Sequence, residues 1–148
     1  MSQASKHVEW CLNKAKKEIE ECKDLGKRAK HRGLLKVSSS IEEAKKHLAK
    51  AEHDFEGITK FKEIGFSDWS MSAGFYCIYH NFLAIAAKFG YESSNQTCTV
   101  ALMRFLKETG KVKIPIAAEL RGFQQQEDFY SQKGVTAELW GFRPIFVE

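Results

Sequence analysis

Apolar residues recur along the chain at three- and four-residue steps, the period of a helix with one buried face. Val8, Cys11, Leu12, Ala15, Ile19, Cys22 and Leu25 form the first such stripe. They predict a helix from about Lys6 to Arg32, ended by Gly33 and followed by a connection over Leu34 to Ser39. Ser40-Ile41-Glu42-Glu43 has the spacing of a capping box and opens a second helix with the apolar set Ile41, Ala44, Leu48, Ala51, Phe55 and Ile58. Such regular steps suit packing against other helices at a shallow angle.

Gly65 breaks the pattern and Ser67 or Asp68 is placed to cap the next helix. The central helix, Ser72 to Lys88, carries apolar or small residues on nearly every face, with Lys88 and Gly90 as its terminator. A fourth helix over about Asn95 to Thr109 points Val100, Met103 and Leu106 inward and stops at Gly110. Pro115 suits the first position of a fifth, running through Leu120 and Phe123 to about Gln132 before Gly134. No stretch alternates with the period of a strand. The expected fold is therefore all-α, an antiparallel up-and-down bundle of about five helices forming one domain over residues 1–148. Residues 1–36 add a basic amino-terminal helix and its connection, and residues 135–148 an apolar carboxy-terminal segment. That segment holds Leu139, Trp140, Phe142, Ile145, Phe146 and Val147, so it packs back on the bundle or is buried in a second copy as a homodimer.

With 43% hydrophobic and 28% charged residues, 148 residues supply one sizeable core and exclude a disordered chain. Phe75 to Ala87, the longest mostly apolar stretch, is interrupted by His80 and Asn81 and is too short to cross a bilayer, so no membrane partner is expected. The amino terminus shows no apolar run before a small-residue cleavage site, which points to a cytoplasmic protein. In a reducing compartment Cys11, Cys22, Cys77 and Cys98, never paired as C-x-x-C, are expected as buried thiols rather than disulfide or metal partners.

Charge is unevenly spread. Residues 1–62 hold 15 Lys and Arg against 10 Asp and Glu, a net of +5, and residues 63–148 hold 8 against 9, a net of −1. Lys27, Arg28, Lys30, Arg32 and Lys36 follow one another with no carboxylate between them. The first reading of that run is a solvated helix end whose cations complement the macrodipole; attraction to nucleic-acid phosphates is the functional alternative.

Glycine-rich phosphate loops and the Gly-x-Ser-x-Gly elbow are absent, and no cofactor is expected. His7 with Cys11, or Cys77 with His80, share a helical turn, but two ligands do not make a zinc site, so no metal is expected. Two polar sets remain beside the basic run. Tyr76, Tyr79, His80 and Asn81 lie on the central helix, either as core polar groups with partners or as a ligand-facing set. Gln124, Gln125, Gln126, Glu127, Asp128 and Tyr130 follow Phe123, with Gln124 and Asp128 one turn apart.

Ser72-Ala-Gly-Phe-Tyr-Cys-Ile-Tyr-His80 resembles the tyrosine-rich, His-ending central helix of HEPN domains, small all-helical nucleotide-binding modules. Ile41 to Glu52 is similar to that family's opening helix, Val8 to Leu12 to the lead-in of archaeal members, and Thr97 to Met103 and Glu127 to Tyr130 to its later helices. The resemblance covers about residues 8 to 136. It implies an RNA or nucleotide ligand, a toxin–antitoxin setting, a minimal nucleotidyltransferase as antitoxin partner, and cleavage through an Arg-x(4–6)-His motif at a dimer interface.

The chain departs from that motif. Matching the family's Arg-x-x-Ala-Asp-Tyr onto Gln124 to Phe129 puts Gln124 at the arginine, and Gln96 stands where related members carry a histidine; Arg121 is nearby with no histidine after it. Cleavage through the ribose 2′-hydroxyl needs a group that exchanges protons and a permanent cation, and glutamine is neither. The expected function is a HEPN-like binding module for RNA, nucleotide or a partner, without nuclease activity. Its candidate ligand residues are Tyr76, Tyr79, His80, Gln96, Arg121, Gln124 and Asp128, with the basic run for nucleic acid. The alternatives are an endoribonuclease built on a displaced set such as His80 with Arg121, and a dimeric scaffold.

Overall fold

A computed structural model describes residues 1–113 of the chain. Four helices account for most of them: α1 (Gln3–Asp24), α2 (Ile41–Glu63), α3 (Ser67–Lys88) and α4 (Gln96–Glu108). Their starts follow capping chemistry. Ser2, Ser40 and Asn95 each place a side-chain oxygen on the backbone N–H three residues ahead, at Ser5, Glu43 and Cys98. α3 begins five residues before the expected Ser72, and neither Ser67 nor Asp68 caps it; both lie inside its first turn, where the Asp68 carboxylate complements the macrodipole.

The end of α1 is a correction. The apolar stripe predicts a helix reaching Arg32, yet it stops at Asp24 because Gly26 takes the left-handed conformation, φ +62°. Gly26 N–H then bonds the Lys23 carbonyl (3.0 Å) and Lys27 N–H the Cys22 carbonyl (2.8 Å), the double closure of a Schellman turn. Residues 27–32 therefore belong to a returning segment and not to a helix end. Gly33 is needed for a different reason: a Cβ there would sit 2.3 Å from the Cys11 carbonyl oxygen, so the returning chain lies directly on α1.

Beyond Gly33 the chain enters a short strand, β1 (Leu34–Lys36), paired antiparallel with β2 (Tyr91–Ser93) in the register Leu34↔Ser93, Leu35↔Glu92, Lys36↔Tyr91. No strand was expected, since three residues are too few to display alternation. The ladder stitches the entry of α2 to the exit of α3: Val37 N–H bonds the Gly90 carbonyl, Ser40 N–H the Ala87 carbonyl, and Ser39 Oγ the Lys88 carbonyl at 2.5 Å.

α2 and α3 form an antiparallel hairpin across the tight turn at Gly65, with Ala44, Ala51 and Ile58 buried along α2. Ile41 and Phe55, read as part of that inward face, are 52% and 36% exposed. α4 packs on α3 and α1 packs on α4 and β1, and Val8, Leu34, Phe82, Ile85, Leu102, Met103 and Leu106 share one core. No helix among the described residues is long and apolar enough to cross a membrane. The fifth helix expected from Pro115 and the apolar segment 135–148 lie outside the described residues.

Two of the four cysteines overturn the expectation of free thiols. Cys11 of α1 and Cys98 of α4 form a disulfide with Cα atoms 5.9 Å apart, both residues fully buried. Cys22 and Cys77 are free. The spacing of 87 residues hid the pair, because only the packing of α1 on α4 brings the two positions together. Closing a loop of that length removes chain entropy worth about 4–5 kcal/mol in the denatured state. Cys98→Ala is expected to lower the unfolding free energy by a large part of that amount, measured by guanidinium unfolding without reductant. An unchanged midpoint in the variant contradicts it.

Candidate nucleic-acid interface

Four of the five cations of the basic run, Lys27, Arg28, Lys30 and Arg32, are displayed by a segment pinned at both ends, and Lys36 follows on β1. The segment's near end is the Schellman turn after Asp24. Its far end is clasped by Glu18, whose Oε2 accepts the Arg32 backbone N–H at 2.7 Å, while the Cys22 thiol approaches the Lys30 carbonyl at 3.7 Å. The segment thus turns back along the last two turns of α1. Glu18 also takes the Lys14 ammonium, and those contacts, Lys14 first, hold its carboxyl below the usual carboxylate range.

His31 is the segment's inward residue, its side chain only 7% exposed. Its Nδ1 accepts the Gly33 N–H (3.3 Å), and Nε2 lies 3.4 Å from Glu92 Oε1 on β2. With His31 turned inward, Lys27, Arg28, Lys30, Arg32 and Lys36 are all exposed. None of the five forms an ion pair among the described residues. Among the helix lysines, Lys14, Lys17, Lys46, Lys50 and Lys60 each meet a carboxylate one turn away, while Lys6, Lys16, Lys23, Lys45 and Lys107 stand apart from one another without an ion pair among the described residues. Local pairing cancels much of the field of the paired lysines, and the unpaired segment keeps its own.

The central-helix set has a structural centre that the sequence did not reveal. His80 Nδ1 lies 2.8 Å from the Tyr76 carbonyl and 3.0 Å from Asp54 Oδ2, two acceptors for one N–H, which fixes the tautomer and ties α3 to α2. Asp54, only 12% exposed, also faces Lys50 and His53 at 3.5 Å each. The His47 ring stacks on His80 with centroids 6.3 Å apart. Tyr79 meets the His80 ring edge-on, and Tyr76 stands 48% exposed at the rim. Burial, with the Asp54 charge second, pushes the Cys77 thiol up to about 11, leaving no thiolate for nucleophilic work at neutral pH. No three His, Cys, Asp or Glu residues among those described are arranged to hold a metal ion.

No family profile, curated protein sequence or solved structure matches the chain.

Of the candidate ligand residues, Tyr76, Tyr79 and His80 come together, and Gln96 sits exposed on the first turn of α4, a separate element. Arg121, Gln124 and Asp128 lie outside the described residues. Sequence reading missed Asp54 and His47, since a carboxylate 26 residues before His80 carries no local mark of its partner. It also missed Glu18, whose clasp on the basic segment depends on the early end of α1.

Burial holds the His47 pKa below the usual 6.5, and the charge of His80 acts the same way; Lys46 adds to this and Glu43 opposes it. The unfolded chain therefore takes up a proton at His47 before the folded one does. Stability from this residue is complete above pH 6.5 and is lost as pH falls from there through the folded value. In urea unfolding between about pH 7.5 and pH 5, His47→Gln should flatten the fall in stability seen for the wild type. Identical pH slopes would exclude this assignment.

Proposed function

We propose that this protein is a HEPN-like RNA-binding module without nuclease activity, gripping phosphates through the segment from Lys27 to Lys36. The observation that carries the reading is the exposure of five cations with no ion-pair partner among the described residues, on a segment fixed by Glu18, His31 and Gly33. A site fixed before binding loses less chain entropy when a ligand docks. The family assignment is supported by the order of the motifs from Val8 to Tyr130. Within that assignment the partner is a minimal nucleotidyltransferase antitoxin, and the chain acts as a homodimer. Gln96 and Gln124 stand where the cleaving members carry proton-exchanging and cationic groups, which supports binding without cleavage.

Phosphate neutralisation releases counterions, so affinity for a short single-stranded RNA should fall with salt with a log–log slope of about −0.7 per phosphate contacted. Replacing Lys27, Arg28, Lys30 and Arg32 together by glutamine should flatten that slope in fluorescence anisotropy. The fold should be retained, because Glu18 holds the backbone of Arg32 and not its guanidinium. Unchanged affinity and slope in the fourfold variant would refute the assignment to this segment.

Purified protein is also expected to leave RNA intact. Metal-independent cleavage that persists through stringent purification and disappears in His80→Ala would establish the enzyme instead.

A further inference from the structure

The basic segment ends against a particular part of α1. Gly33 rests on the carbonyl of Cys11, the residue that follows Trp10, and Arg32 is held by Glu18. Trp10, Lys14 and Glu18 stand four residues apart on one side of the helix, a rise of about 12 Å from first to last. Lys14 and Glu18 are bound to one another, so this side of α1 runs from the indole through an ion pair to the clasp of the cationic segment. Trp10 is 56% exposed and belongs to neither core cluster; the His7 ring lies beside it, with centroids 5.9 Å apart and planes at 57°. A large rigid indole held at the surface, two turns of α1 before the residue that clasps Arg32, offers a flat apolar face on the side of the helix that leads to the cationic segment.

We infer that Trp10 is a stacking platform for a base of single-stranded RNA whose phosphates lie on the Lys27–Arg32 segment. This rests on the RNA-binding reading above and names its ligand class. Duplex phosphates would satisfy the cations equally well, but bases within a duplex have their faces covered by their neighbours. An unpaired strand has free faces, and an aromatic ring beside a basic track is the arrangement that takes them without regard to sequence. Stacking acts through the base and the cations through the phosphates, so the two contributions separate experimentally.

The test is fluorescence anisotropy of the full chain with a fluorescein-labelled oligouridylate and with an RNA duplex of equal length. Trp10→Ala should weaken oligouridylate binding by about 5- to 150-fold at fixed salt. It should leave both the salt slope and duplex binding unchanged, and Trp10→Phe should keep most of the affinity. Equal losses for single strand and duplex would overturn the stacking role, as would full affinity in Trp10→Ala while the fourfold glutamine variant fails to bind; in the latter case the RNA-binding reading survives. If the wild type binds neither probe, the RNA-binding reading itself falls and the platform falls with it.

Discussion

The contact of Gly33 with the Cys11 carbonyl sets the arrangement of everything near α1. Because no side chain can occupy that position, the chain returning from α1 lies flat on the helix and delivers Leu34 into the core as a fully buried residue. From Leu34 follow the pairing of β1 with β2 and the joint anchoring of the α2 entry and the α3 exit. The same turn of α1 carries the disulfide to α4, so one short stretch of helix meets both the returning chain and the last described helix.

Electrostatics divide along the same architecture. Five helical lysines, Lys14, Lys17, Lys46, Lys50 and Lys60, find carboxylates one turn away, because helix geometry brings such residues side by side. The returning segment has no such geometry, and its backbone and one histidine ring do the anchoring. Its charged side chains are thereby released from any structural duty, which is the condition under which they are free to meet an external polyanion. The Asp54–His80 pair shows the reverse: titratable groups drawn into joining two helices, with both acceptors turned onto one imidazole N–H.

The helical parts of the fold were legible where a local rule determined them. Ser40 caps as its spacing implies, and Gly65, Gly90 and Gly110 stop α2, α3 and α4. Gly33 was read as the helix end in place of Gly26 because two glycines stand near the end of one apolar stripe, and the stripe does not say which is left-handed and which is packed against a neighbour. The strands, the disulfide and the Asp54–His80 pair were hidden because each joins residues that meet only in the folded chain. The basic run was visible as charge, while its placement on a clasped segment required Glu18, a residue indistinguishable in sequence from the other glutamates of α1.

The Cys11–Cys98 bond has a topological consequence. It closes a covalent ring that contains β1, the whole α2–α3 hairpin and β2. Cutting the backbone once anywhere on that ring, including the exposed turn at Ile64 to Phe66, opens the ring without dividing the molecule. The two pieces remain one covalent body until a reductant reaches a bond that the core encloses. The hairpin is thus held at its base by a linkage independent of its own peptide continuity.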